Sequence, residues 1–213
     1  MSLSDWLRAG AAPAWEQALG QRFVRDVVAG RLPDEVFQRY LGIELRFVDT
    51  AARVLGRTVH VAPSFAARRR LAAGLHDLTT DQFDYFQQVA SRLGLELPAV
   101  DAPVPEGAKA LHEHFLVVAA DGSYPVLLGC MLGAEWLYAT WCDEASRQEI
   151  GHSELREWIQ LHTSPAFVGH VAWLRAELDL MEPQLTDPDQ LRVLAAFQQT
   201  LRAEVPFHDV AYG

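Results

Sequence analysis

Hydrophobic side chains return every three to four residues along this chain, the spacing of an apolar stripe on an α-helix, and almost nowhere every two. Leu32-Pro33-Asp34 opens a long helix that the pattern carries to about Gly56, the proline standing where its missing N–H leaves no bond unmade. Thr79-Thr80-Asp81 predicts the N-cap of another helix, with Phe83, Phe86, Ala90 and Leu93 on one stripe and Gly94 as its end. Further helices are predicted, to within a few residues, over 3–19, 64–75, 106–119, 124–144, 146–161, 165–181 and 187–208. Only residues 57–61 alternate like a strand, and that run is too short to build a sheet. Residues 98–105 read as a connection between two halves of a bundle. With no repeat and no low-complexity linker, the expected architecture is one all-α domain over 1–213, a multi-helix bundle.

Composition narrows what such a bundle does. Half of the 213 residues are hydrophobic, enough to bury a substantial core. The formal net charge of −10 argues against a nucleic-acid groove, and Arg68-Arg69-Arg70 reads as a solvated helix face rather than a phosphate footprint. Residues 122–142 carry one charge, Glu135. An acid near the centre of a membrane span is costly, so this stretch is expected to be a buried core helix and no membrane contact is expected. Residues 1–5 lack the basic and apolar regions of a secretory signal, which makes the cytoplasm the expected location.

Testing each acid against its helical neighbours singles out three. Positions i±3, i±4 and i±7 share a face with position i. Around Glu44 these are Phe37, Tyr40, Leu41, Phe47, Val48 and Ala51. Around Glu135 they are Leu128, Met131, Leu132, Tyr138, Ala139 and Cys142. Glu204 has Phe197, Thr200, Leu201, Phe207, His208 and Ala211. Asp84, by contrast, stands among Asp77, Thr80, Asp81, Gln87, Gln88 and Ser91 and belongs to a wet face. Burying a carboxylate costs several kcal/mol unless it is paired, hydrogen-bonded or protonated. Desolvation also raises a carboxyl pKa toward neutrality, where it suits general acid–base work. Any one of the three can equally satisfy a buried backbone group, a tyrosine or an arginine. Three together, on helices able to converge, favour function. Pro206, inside the last helix, predicts a kink beside Glu204.

Other chemistries find less support. His112-Glu113-His114 places its imidazoles two residues apart, on different helix faces. Di-iron bundles carry two Glu-x-x-His pairs, and here only Glu149-x-x-His152 fits, on a polar face. Glu204 and His208 stand at i and i+4 without completing that motif. Cys130 and Cys142 have apolar neighbours and no adjacent base, so they read as core residues rather than nucleophiles. No Gly-x-Ser-x-Gly elbow, dinucleotide fingerprint or phosphate loop occurs.

Three stretches, in order and spread over nearly the whole chain, resemble the TenA / thiaminase II family. They are Phe23-Val24 … Gly30-Arg31-Leu32-Pro33 … Phe37 … Tyr40-Leu41 … Glu44 … Phe47-Val48, then Tyr124-Pro125-Val126 through Ala134-Glu135-Trp136-Leu137-Tyr138, then Ala203-Glu204-Val205-Pro206-Phe207. The resemblance implies a heme-oxygenase-like helical fold, a homo-oligomer (dimer or tetramer), and hydrolysis of the aminopyrimidine part of thiamin or its breakdown products without metal or other cofactor. The family's main branch uses a cysteine where this chain has Ala134. The branch without that cysteine places a glutamate one residue on, which matches Glu135. By the same resemblance Glu204 is the second catalytic carboxyl, Glu44 takes the place of a ring-binding aspartate, and Phe47 that of a ring-stacking aromatic. Tyr138 matches a family tyrosine, while His112 and His162 stand where tyrosines are expected. The implied function is a salvage hydrolase acting on an aminopyrimidine or its N-acyl derivative. The alternatives are a metal-dependent oxidase or oxygenase of the same architecture and a non-catalytic pyrimidine-binding or regulatory relative.

Overall fold

The computed structural model describes residues 1–213, which form eleven α-helices and no strand. In chain order these are α1 (Leu3–Gly10), α2 (Ala12–Leu19), α3 (Arg22–Val28), α4 (Asp34–Val61), α5 (Phe65–Asp77), α6 (Phe83–Leu93), α7 (Lys109–Asp121), α8 (Tyr124–Ser146), α9 (Ser153–Thr163), α10 (Pro165–Met181) and α11 (Asp187–Asp209). The chain gathers into two compact units: residues 1–32 with 125–205, and residues 33–124 with 206–213.

The second unit is built on α4, against which α5 and α7 pack. Asp34 and Glu35 occupy its first turn, where negative charge complements the helix dipole. The helix does not end at Gly56. It runs through 57–61, and the alternation there was misleading because the buried Thr58 donates its hydroxyl to the Val54 carbonyl at 2.7 Å, closing a helical turn. Thr79-Thr80-Asp81 is not an N-cap either. A π-helical turn, Leu78–Gln82, joins α5 to α6, and Thr79 and Thr80 donate backwards to the Leu75 and His76 carbonyls. Gly94, left-handed at φ 64°, does end α6, and 98–105 is a non-helical connection as expected.

The first unit contains α8, buried along Leu127, Leu128, Met131, Leu137 and Trp141. Gly129 and Gly133, one turn apart, let α11 approach closely. A Cβ on Gly129 would stand 2.7 Å from the Val193 side chain, and one on Gly133 would stand 2.9 Å from that of Thr200. Because both residue numbers rise together, α8 and α11 run side by side in the same direction. The helix expected over 3–19 is broken at Ala11, and α3 is a helix that periodicity alone did not single out. The helix expected over 146–161 starts later, at Ser153. Residues 147–152 lie outside the helices, where the Arg156 guanidinium holds the Ile150 carbonyl at 2.7 Å. Glu149 is exposed there, so Glu149-x-x-His152 is not a helical pair. No helix is long and apolar enough to cross a membrane.

Candidate active site

In the second unit the aromatic and acidic candidates lie on α4, α7 and the end of the chain. Glu44 is buried on α4, only 6% exposed, as its apolar neighbours require. Phe47, one turn on, meets three rings edge to face: His112 at 5.2 Å, Phe115 at 4.9 Å and Phe207 at 5.6 Å between centroids. Edge-to-face geometry sets the positive rim of one ring against the negative face of another and fixes both. His112 is buried on α7, with its Nδ1 2.8 Å from the Thr50 hydroxyl. Its Nε2 is buried too and has no hydrogen-bond partner in the chain. Burial, and next the Arg46 guanidinium, pull its pKa down to about 4 against the opposing charge of Asp49, so the ring is neutral at pH 7. His208 stacks on Tyr40, 5.6 Å between centroids.

In the first unit α8 carries Glu135 and Tyr138, and α9 carries His162. The Tyr138 ring lies 5.2 Å from His162, which is also flanked by Trp158 at 4.2 Å and Phe167 at 4.7 Å. His162 Nδ1 stands 2.9 Å from the Trp158 carbonyl. A carbonyl only accepts, so Nδ1 holds the proton. Burial lowers this pKa to about 4, with the Trp158 bond opposing, and the neutral ring keeps its lone pair on Nε2.

Glu204 is the most buried acid of the three, 1% exposed on α11. One turn earlier, Thr200 donates toward the Ala196 and Cys130 carbonyls at 3.2 and 3.1 Å. The nearby Cys130 thiol is pushed up to about 12, chiefly by burial; the Thr200 bond opposes this and the charge of Glu204 adds to it. Extending the register of Gly129 with Val193 and Gly133 with Thr200 by one turn brings Glu204 level with the stretch of α8 bearing Glu135 and Tyr138.

One expectation needs correcting. Glu135 is half-buried, not sequestered like Glu44 and Glu204, and Ala134, Trp136, Ala139 and Thr140 around it are half-exposed as well. Helical periodicity identifies which residues share a face but not whether another element covers it. Periodicity also passed over Thr50, a polar residue on the buried face one turn beyond Phe47, and the aromatic partners Phe115, Trp158 and Phe167. In neither unit do three His, Cys, Asp or Glu side chains gather into a metal-ligating group. His112 is buried, Glu113 exposed and His114 half-buried.

The helical scaffold is one this chain shares with a known class. Residues 8–213 match the TENA/THI-4/PQQC family, and the chain belongs to that family. It is similar to the aminopyrimidine aminohydrolase of Halalkalibacterium halodurans, 25% identical over all of this chain and 96% of that protein. It is also similar to the aminopyrimidine aminohydrolase of Helicobacter pylori, at 21% identity over all of this chain and 99% of that one. Among solved structures, a TenA homologue from Pyrococcus furiosus superposes with a TM-score of 0.89 at 20% identity, over 99% of this chain and 100% of that one. A Shewanella denitrificans domain with a heme oxygenase-like fold gives 0.77 at 15% identity, over 98% of this chain and 91% of that one. The fold is therefore heme oxygenase-like.

Proposed function

We propose that this protein is a thiamin-salvage-type hydrolase that removes the amine from an aminopyrimidine, or cleaves its N-acyl derivative. The observation that carries the reading is the full-length similarity to two aminopyrimidine aminohydrolases, together with the burial of the Glu44 and Glu204 carboxyls.

In this reading Glu135 and Glu204 share the acid and base roles. One, as the carboxylate, takes a proton from water while the water oxygen bonds to the carbon that bears the amine. The other, as the carboxylic acid, gives its proton to the departing nitrogen as the carbon–nitrogen bond breaks. Ammonia leaves, the hydroxyl stays on the carbon, and a proton returned from one carboxyl to the other resets the pair. Glu44 accepts from an exocyclic amino group or, when protonated, donates to a ring nitrogen. By the family resemblance, Phe47 stacks on the ring, and His112, Tyr138 and His162 are substrate-binding residues.

The chain fits the family branch that uses a glutamate in place of the cysteine, since Ala134 stands where that cysteine falls. Its own two cysteines are buried, and a thiol at the height of Cys130 supplies no thiolate near neutral pH. The test is ammonia and formate release from aminopyrimidine, N-formyl aminopyrimidine and thiamin. Wild type is expected to release product from at least one of them, and Glu135→Gln to lower turnover at least a hundredfold, the scale of a lost general acid or base. Full activity in Glu135→Gln would remove Glu135 from the chemistry.

A further inference from the structure

Thr50 behaves unlike the other threonines inside these helices. Thr58, Thr140, Thr163 and Thr200 each donate the hydroxyl proton to the carbonyl four residues back, at 2.7 to 3.2 Å. This back-bond is the usual resting place of a helical threonine hydroxyl. Thr50 makes no such bond. Its hydroxyl has one partner, His112 Nδ1 at 2.8 Å, on a helix 62 residues away in sequence, and both side chains are buried.

That single contact decides where the imidazole proton sits. A hydroxyl brings one proton and a neutral imidazole brings one N–H. If Nδ1 held the ring proton, Thr50 would accept it and its own hydroxyl proton would be left in a buried place with no acceptor. Leaving a buried donor unmade is the costly arrangement. If Thr50 donates to Nδ1 instead, its proton is used and the ring proton moves to Nε2. Arg46, beside the ring, opposes a second proton, so the ring stays neutral. Phe47, Phe115 and Phe207 surround this group with hydrocarbon and offer no acceptor. Nε2–H is then a buried donor without an acceptor in the chain. A donor kept dry in this way binds strongly to whatever acceptor is brought to it, and it discriminates against ligands that have none.

We propose that Thr50 is a positioning residue that locks His112 in the Nε2–H form, making it a fixed, uncharged hydrogen-bond donor that selects ligands with a ring nitrogen or carbonyl acceptor at that point. This rests on the proposed pyrimidine site for the ligand, but not for the tautomer. His162 carries the opposite arrangement, with Nδ1–H tied to the Trp158 carbonyl and an accepting Nε2. The two imidazoles that stand where the family places tyrosines are thus set as one donor and one acceptor.

The experiment is two-bond 1H–15N correlation spectroscopy of protein labelled at histidine, on wild type, Thr50→Val and Thr50→Ser, with and without 4-aminopyrimidine. Wild type is expected to show the Nε2–H pattern for His112 at pH 7. Thr50→Ser should keep it, and Thr50→Val should convert it to a mixture of tautomers while the circular dichroism spectrum stays unchanged. Adding 4-aminopyrimidine should move the His112 Nε2 proton downfield. Thr50→Val should then weaken its binding about fivefold, and raise KM for the substrate by a similar factor with kcat unchanged, as the loss of one neutral hydrogen bond predicts. An Nδ1–H pattern in wild type, or no change in Thr50→Val, overturns the proposal whatever the enzyme hydrolyses. The expected tautomers with no effect of 4-aminopyrimidine on Nε2–H overturn the donor role toward ligand. A protein that shows the tautomers but releases no ammonia and binds no pyrimidine has lost the proposed function, not the Thr50–His112 arrangement.

Discussion

At the scale of single residues, burial decides both what the candidate groups do and how the protein answers to acid. His162 is held neutral with its pKa at about 4, below the ordinary 6.5 of a free imidazole. Between those two values the unfolded chain carries a proton there that the folded chain lacks. Stability is therefore lost as pH falls from about 6.5 to about 4, and below that the folded ring protonates too and this loss stops. Each such histidine contributes a slope of at most about 1.4 kcal/mol per pH unit. Urea denaturation at pH 6.5 and pH 4.5 should show a shallower fall for His162→Phe than for wild type; equal falls would show that His162 is not buried neutral. The acids were legible in the sequence for a related reason. Glu44 has only apolar and aromatic neighbours at helical spacings, and Glu204 has mostly such neighbours besides Thr200 and His208, so a buried place for each was the natural reading. Glu135 passed the same test and is half-exposed, because the covering element is set by tertiary packing. Thr50 was not legible at all, since its meaning lies in a partner 62 residues away.

At the scale of helices, two glycines in the same kind of element make opposite predictions. A Cβ on Gly133 would stand 2.9 Å from Thr200, closer than a real Cβ comes, and a tight 3.1 Å from the Phe197 carbonyl, so Gly133→Val should force α8 and α11 apart at a cost of about 1–3 kcal/mol. Gly56 sits in the interior of α4 with nothing within 4 Å of an added Cβ, so Gly56→Ala should stabilise the protein by up to about 1 kcal/mol. Thermal denaturation of both variants checks this, and a Gly133→Val variant as stable as wild type would refute the close approach. The same two residues mark what the sequence conveys about elements. The apolar period located nearly every helix, but Gly56 suggested an end where α4 continues. The short alternation at 57–61 is a helical turn in which Thr58 bonds Val54. Threonines near a boundary were ambiguous in the same way: at 79 and 80 they bond backwards into a π-helical turn rather than forwards as a cap.

At the scale of the whole molecule, the family match over residues 8–213 and the two full-length relatives concern the same chain that buries Glu44 and Glu204. The formal net charge of −10 disfavours a polyanionic ligand. The helical class followed from the apolar period alone. The particular chemistry did not, since what a buried acid does depends on the molecule brought to it. The most direct test of the central claim is the rate of ammonia release from aminopyrimidine by wild type and by Glu204→Gln, with the fold of each checked by circular dichroism. The account predicts steady release by wild type and a loss of at least a hundredfold in a variant that remains folded. Release at the wild-type rate by folded Glu204→Gln would contradict it.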